Sequence, residues 1–215
     1  FAILYIPGHN SGRDLLIKRQ KICNNFFKNL ARKNNIDFID FSLSFFNYPE
    51  NIITLMPENG HLSRFGNILV AEKLNEYIII NQKFRSSHKF IQYPNLLGDL
   101  KPNQNNIWKI MNIMPYNVIT NNQGLRMDYN LKFPKIKPRV LILGDSFTFG
   151  PYLGNHNTYP GLLQKMNISV EIINAGIAGY TIPMQLELFT ERSKYVNPDY
   201  VILQVTDNDI YGLTA

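Results

Sequence analysis

The chain has 215 residues, 45% hydrophobic and 18% charged, a composition that excludes a disordered protein and suffices for an α/β core. Its 22 Lys and Arg exceed its 16 Asp and Glu, a net charge of +6, but no basic run of five or more occurs, which argues against a nucleic-acid partner. The single Cys23 precludes an internal disulfide and is expected to be a buried structural thiol, and no stretch approaches 18 uninterrupted apolar residues, so no membrane span is expected.

Short apolar strands alternate with amphipathic helices, the pattern of a parallel sheet covered on both faces. Ala2–Ile6 reads as a strand and is followed by a Pro7-Gly8 turn. Arg13 to about Lys33 reads as a helix with an apolar stripe at Leu15, Ile22, Phe26 and Leu30. Ile36–Asp40 is the next strand. After a loop with Pro49 and Pro57, a helix is expected from about Ser63 to Ile79, with Val70, Leu74, Tyr77 and Ile78 on one side. Residues 81–138 are rich in Asn, Gln, Lys and Pro and read as a connector with short irregular elements. The alternation then resumes: strand Val140–Gly144, helix Thr158 to Lys165, strand Val170–Asn174, helix Met184–Tyr195 and strand Tyr200–Val205.

The chemistry sits where these late strands end. Val140 to Gly150 reads VLILGDSFTFG, an apolar run that delivers Ser146 to a strand terminus, where open parallel sheets hold their reactive groups. The amide at Ser146 could stabilise a developing oxyanion; a simple Asp/Ser helix cap is the bland alternative. Asn174-Ala175-Gly176-Ile177-Ala178-Gly179 follows the second of these strands and Thr206-Asp207-Asn208-Asp209 the third. A glycine offers an unobstructed N–H and an Asn a side-chain amide. With the serine amide they make a three-donor oxyanion hole, which acyl transfer requires.

GDSFTFG, NAGIAGYT and TDND, in that order, resemble the first three blocks of the SGNH (GDSL-type) hydrolases. The resemblance covers about residues 116–215 and includes an N-x-x-G-x-R lead-in at Asn121 to Arg126. It implies a three-layer α/β/α, flavodoxin-like fold and hydrolysis of an ester. Ser146 matches the nucleophile, Gly179 the glycine donor (Gly176 being the alternative) and Asn208 the Asn donor.

The base must be a histidine, and there are four. His9, His88 and His156 lie in polar, turn-like stretches. His61, in Pro57-Glu58-Asn59-Gly60-His61-Leu62-Ser63 ahead of an amphipathic helix, resembles the family's final block. Glu58 and Asn59 occupy the two positions where the orienting acid is usual. Glu58 is the candidate acid; an Asn cannot stabilise imidazolium by charge, and a Ser–His dyad is the other option.

Block order departs from the family, since the His block precedes the Ser block. Residues 1–82 read as the C-terminal half of an SGNH unit, 83–138 as connector and lead-in, and 139–215 as an N-terminal half. Two readings follow: a fragment spanning two tandem units, which is preferred, or a circular permutant forming one domain. The first separates Ser146 from His61 and implies a second unit in cis; the second brings them together. The start at Phe1 suggests that the natural N-terminus lies upstream; the compartment stays open, with an extracytoplasmic one compatible.

The expected substrate is a small-molecule or glycan ester, with O-acyl groups on carbohydrate implied by the resemblance. No His/Cys/Asp cluster has metal-ligand spacing, and no metal or cofactor is expected. A non-catalytic carbohydrate-binding or assembly module is the rival, favoured by Asn59. A nucleotide-binding role fares poorly, because G-x-G-x-x-G and the P-loop Lys are absent after the Val140 strand.

Overall fold

A computed structural model of the chain describes residues 1–8, 13–55, 60–80, 96–108 and 115–213. Strand β1 (Ala2–Tyr5) is buried throughout and leads to helix α1 (Arg13–Lys33) and strand β2 (Asp37–Asp40). Two short helices, α2 (Ser42–Phe46) and α3 (Glu50–Ile53), precede the long α4 (Arg64–Ile80). In the expected connector, β3 (Asn105–Trp108) and β4 (Tyr116–Ile119) form an antiparallel pair that the sequence did not announce.

Strand β5 (Arg139–Leu143) is buried at all five positions, as a central parallel strand should be. The one-turn α5 (Ser146–Phe149) follows it, then α6 (Tyr159–Met166), β6 (Glu171–Asn174), α7 (Ile182–Glu191) and β7 (Tyr200–Val205). Helix α6 starts where Thr158 accepts the Gly161 N–H at 3.3 Å and Pro160 occupies the first turn.

The sheet is parallel, in the order β2-β1-β7-β5-β6. Counted from β5 and continued through the N-terminus, that order is 2-1-3-4-5, the flavodoxin-like winding. Helices α4 and α6 cover one face, over Ala2, Leu4, Val140, Ile142 and Ile202. Helices α1 and α7 cover the other, over Ile3, Tyr5, Leu141, Leu143 and Ile173. The expected three-layer α/β/α, flavodoxin-like architecture is therefore present.

Within this chain the two halves complete one sheet, with β1 paired to β7 from Ala2↔Ile202 to Tyr5↔Val205, so that β7 has no unpaired apolar edge there. One expectation needs correction: the stripe on α1 is shifted by one position. Cys23, Phe27 and Ala31 are buried with Gln20, whereas Ile22, Phe26 and Leu30 face outward at 57%, 45% and 41% exposure. The sequence offers two stripes of helical period, and the more apolar one faces solvent. Cys23 is buried as expected, and burial pushes its thiol up to about 11.

Candidate active site

Chain winding reverses between β5 and β7, where such sheets bind ligands, and the loops that leave their carboxyl ends meet there. Ser146 opens α5 and is half-buried. Asp145 caps that helix by accepting the Phe147 N–H at 2.9 Å, so the bland reading of a cap applies to Asp145, not to the serine. Gly144 is needed for close approach: a Cβ there would lie 2.0 Å from Thr148 Oγ1 and 2.5 Å from Gln204 Oε1. These two groups bond to each other at 2.9 Å, and Gln204 also accepts the Asp145 N–H at 3.3 Å.

The lead-in motif has a structural use. Asn121 folds its turn by accepting the Gln123 and Leu125 N–H groups, both at 3.0 Å. Gly124, at φ +77, passes so close to the backbone at Gly98 and Leu100 that no side chain fits. Arg126, 2% exposed, then grips the segment after Ser146. It donates to the carbonyls of Phe149, Gly150 and Leu153 and to Asn155 Oδ1. Burial lowers its pKa to about 10, and it stays charged at neutral pH.

The two glycine candidates separate cleanly. Gly176 donates its N–H to Asn174 Oδ1 at 3.0 Å and packs on Thr148 and Phe149, where a Cβ would clash at 2.6 Å. It is spent on structure. Gly179 sits in an exposed turn at φ +85 with nothing within 4 Å of a would-be Cβ, so close packing is not what requires glycine there. Asn208 is exposed at the end of β7, with Nδ2 3.4 Å from Asp145 Oδ2. That long contact holds the amide beside Ser146 without saturating it.

Three carboxyls lie under the crevice. Burial raises the pKa of Asp145 and of Asp207, the latter bonded to Tyr5 and to the Gly8 N–H. Asp209, which accepts the Thr206 N–H at 2.8 Å, is pushed up to about 7 by burial, with the Asp145 charge adding to it. Among the described residues no group of His, Cys, Asp and Glu has the arrangement of a metal site.

His61 arrives from the other half of the chain. It follows Gly60, which has φ +66, and precedes α4. Leu55 donates to the His61 carbonyl at 2.9 Å and Ser63 to that of Ile53 at 2.7 Å, pinning the segment to the end of α3. Gly66 permits this, since a Cβ there would sit 2.4 Å from the Ile53 carbonyl oxygen. The half-buried imidazole packs against Phe147, the residue after Ser146, with ring centroids 5.7 Å apart, and against Tyr152 at 5.7 Å. His61 is thus at the Ser146 turn. His156 is an exposed residue of the 155–157 turn. Glu58, Asn59, His9 and His88 lie outside the described residues.

One residue joining the two walls carried no sequence signal beyond its place in the His block. Asn67 of α4, 1% exposed, accepts the Tyr159 N–H at 2.7 Å and donates to the Ser63 carbonyl at 2.9 Å. The Tyr159 hydroxyl meets Thr148 Oγ1 at 2.7 Å, and Thr148 reaches Gln204 and so Asp145. A buried Asn on an apolar face was the available clue.

No family model matches the chain, and no curated protein matches it in sequence. In fold it is similar to the O-acetyltransferase domain of Pseudomonas putida AlgJ, with a TM-score of 0.55 and 16% identity over 96% of this chain and 74% of that one. It is likewise similar to Pseudomonas aeruginosa AlgX, with a TM-score of 0.55 and 14% identity over 95% of this chain and 52% of that one, about half its length. At such identities the shared property is the fold.

Proposed function

We propose that the chain is a serine-dependent esterase of the SGNH type acting on O-acyl groups of carbohydrate. The reading is supported chiefly by the approach of Asn208 to Asp145 and of His61 to Phe147, the residues on either side of Ser146, from three separate segments, with Gly179 of the loop after β6 as the proposed third donor. In this mechanism Ser146 Oγ attacks the ester carbonyl while His61 accepts its proton. The tetrahedral oxyanion receives hydrogen bonds from the Ser146 and Gly179 amides and Asn208 Nδ2, each worth roughly 10²–10³ in rate. Collapse breaks the ester C–O bond, and His61 returns the proton to the leaving sugar hydroxyl. Water, deprotonated by His61, then attacks the acyl-Ser146, the acyl C–Oγ bond breaks, and His61 returns the proton to Ser146 Oγ as the carboxylic acid leaves. Glu58 is the proposed partner orienting His61.

The fold likeness to an O-acetyltransferase domain favours a second reading. In it the same acyl-Ser146 forms, but a sugar hydroxyl replaces water as acceptor. The ratio of released acetate to acetylated oligosaccharide, measured with an acetyl donor and a sugar acceptor present, separates the two.

Hydrolysis of p-nitrophenyl acetate and of an acetylated xylo-oligosaccharide by the chain and by Ser146→Ala tests the reading. Loss of turnover to background in the variant is expected. Activity that survives the substitution removes Ser146 as nucleophile, and an inactive parent chain that still binds the glycan points to a binding module.

A further inference from the structure

A row of aromatic rings runs outward from His61. Tyr152 meets the imidazole edge-on with centroids 5.7 Å apart, and Tyr116 meets Tyr152 in the same way at 5.7 Å. Trp108 packs on Tyr116 at 6.2 Å and on Phe149 of the nucleophile turn at 5.8 Å. Trp108 and Tyr116 are a cross-strand pair of the β3–β4 hairpin. Packing explains Tyr116 and Phe149, which are buried, but not the end of the row, because Trp108 keeps 39% of its surface open.

Tyr152 is held in place against its own preference. It has φ +68, a conformation that costs a bulky residue on the order of 1–3 kcal/mol and is kept only where the surroundings over-determine it. Arg126 provides that constraint through the carbonyls on either side of Tyr152, at Gly150 (2.8 Å) and Leu153 (2.5 Å). Backbone strain beside a candidate base points to a ring that is wanted there.

These rings suit a sugar. Tyr and Trp present flat apolar faces with a polar tip, which matches the C–H faces and peripheral hydroxyls of a pyranose. Asn106 lies two residues from Trp108, on the same strand face, and adds an exposed amide beside the ring.

We propose that Tyr152 and Trp108, spaced by the buried Tyr116 packed between them, form a pyranose-stacking ramp leading away from the Ser146–His61 crevice. The inference rests on the carbohydrate-ester reading above and deepens it. The acyl-bearing sugar lies at Tyr152 and its neighbours extend toward Trp108, so the substrate is an oligo- or polysaccharide and not a free acylated monosaccharide.

Trp108 is the sole tryptophan, so its emission reports directly on the ramp. Titration of the full chain carrying Ser146→Ala with xylohexaose, cellohexaose, mannohexaose and hexagalacturonate, each beside its monosaccharide, is the test. A hexamer that shifts Trp108 emission and binds at least tenfold more tightly than its monomer is expected. Trp108→Ala, followed by calorimetry, should weaken that hexamer at least tenfold. Ile107→Asn, on the outward face of the same strand and 77% exposed, should leave it unchanged. No response to any hexamer, or equal affinity for hexamer and monomer, would overturn the ramp. Binding needs no turnover in this variant, so hexamer affinity without ester hydrolysis in the parent chain removes the catalytic reading alone. Turnover of small esters without hexamer affinity removes the ramp alone.

Discussion

The Ser146 wall and the His61 wall of the crevice are held by different means. Around Ser146, buried side chains answer the backbone nearly atom by atom: Asp145 caps α5, Gln204 takes the Asp145 N–H, and Arg126 binds three carbonyls after the turn. The His61 segment is held by two backbone bonds to the end of α3, by Asn67 donating to the Leu62 and Ser63 carbonyls, and by aromatic packing on Phe147 and Tyr152. Ion–dipole bonds in a dry interior fix the position of the Ser146 turn, while neutral bonds and ring packing join the His61 segment to it.

The strongest way to break this contrast is Arg126→Met, which keeps the buried stem and removes the donors. Because it leaves several buried acceptors empty, a loss of about 3 kcal/mol or more is expected in urea unfolding at pH 7. A loss below about 1 kcal/mol would show that the nucleophile wall does not depend on this clamp. Asn67→Ala addresses the link between walls, and about 2 kcal/mol is expected from two buried bonds. Thr148→Val acts on the same Tyr159 from the other side. The two losses should therefore be non-additive by about 0.5 kcal/mol or more; strict additivity would mean that the walls are independent.

The smallest effect concerns charge beneath the Ser146 wall. Asp209, at about 7, holds its proton more firmly folded than unfolded, where its pKa is about 4. Its contribution is therefore fully present below about pH 4 and is lost as pH rises through about 7. Asp209→Asn should flatten the fall in stability between those values and leave the variant about 1–2 kcal/mol more stable at pH 8. Equal pH slopes for both proteins in thermal unfolding would contradict the assignment.

How much of this could be read in the sequence depended on what each segment has to do. Buried parallel strands are continuous apolar runs, so all five sheet strands were legible to within a residue or so at their ends; Tyr200–Val205 matched at both. The turns after β5, β6 and β7 were legible as loops at strand ends because Gly, Asn and Asp interrupt the apolar runs there. The α1 face was not, because Ile22-Cys23 and Phe26-Phe27 put apolar residues on adjacent stripes and only packing chooses between them. The β3–β4 hairpin was missed because four-residue strands such as Asn105–Trp108 carry too few alternations to stand out. Pairing of β1 with β7 is a long-range event that no local pattern encodes. Arg126 was visible as a motif residue, yet its use depends on carbonyls more than twenty positions away.

The central claim is that Ser146 and His61, from opposite halves of the chain, act as one site. The labelling rate with a fluorophosphonate, with the adduct located by mass spectrometry, tests it most directly. The account predicts a single adduct on Ser146 and a rate at least about 100-fold slower in His61→Ala. An adduct that forms at the same rate without the imidazole would place the two residues in separate sites.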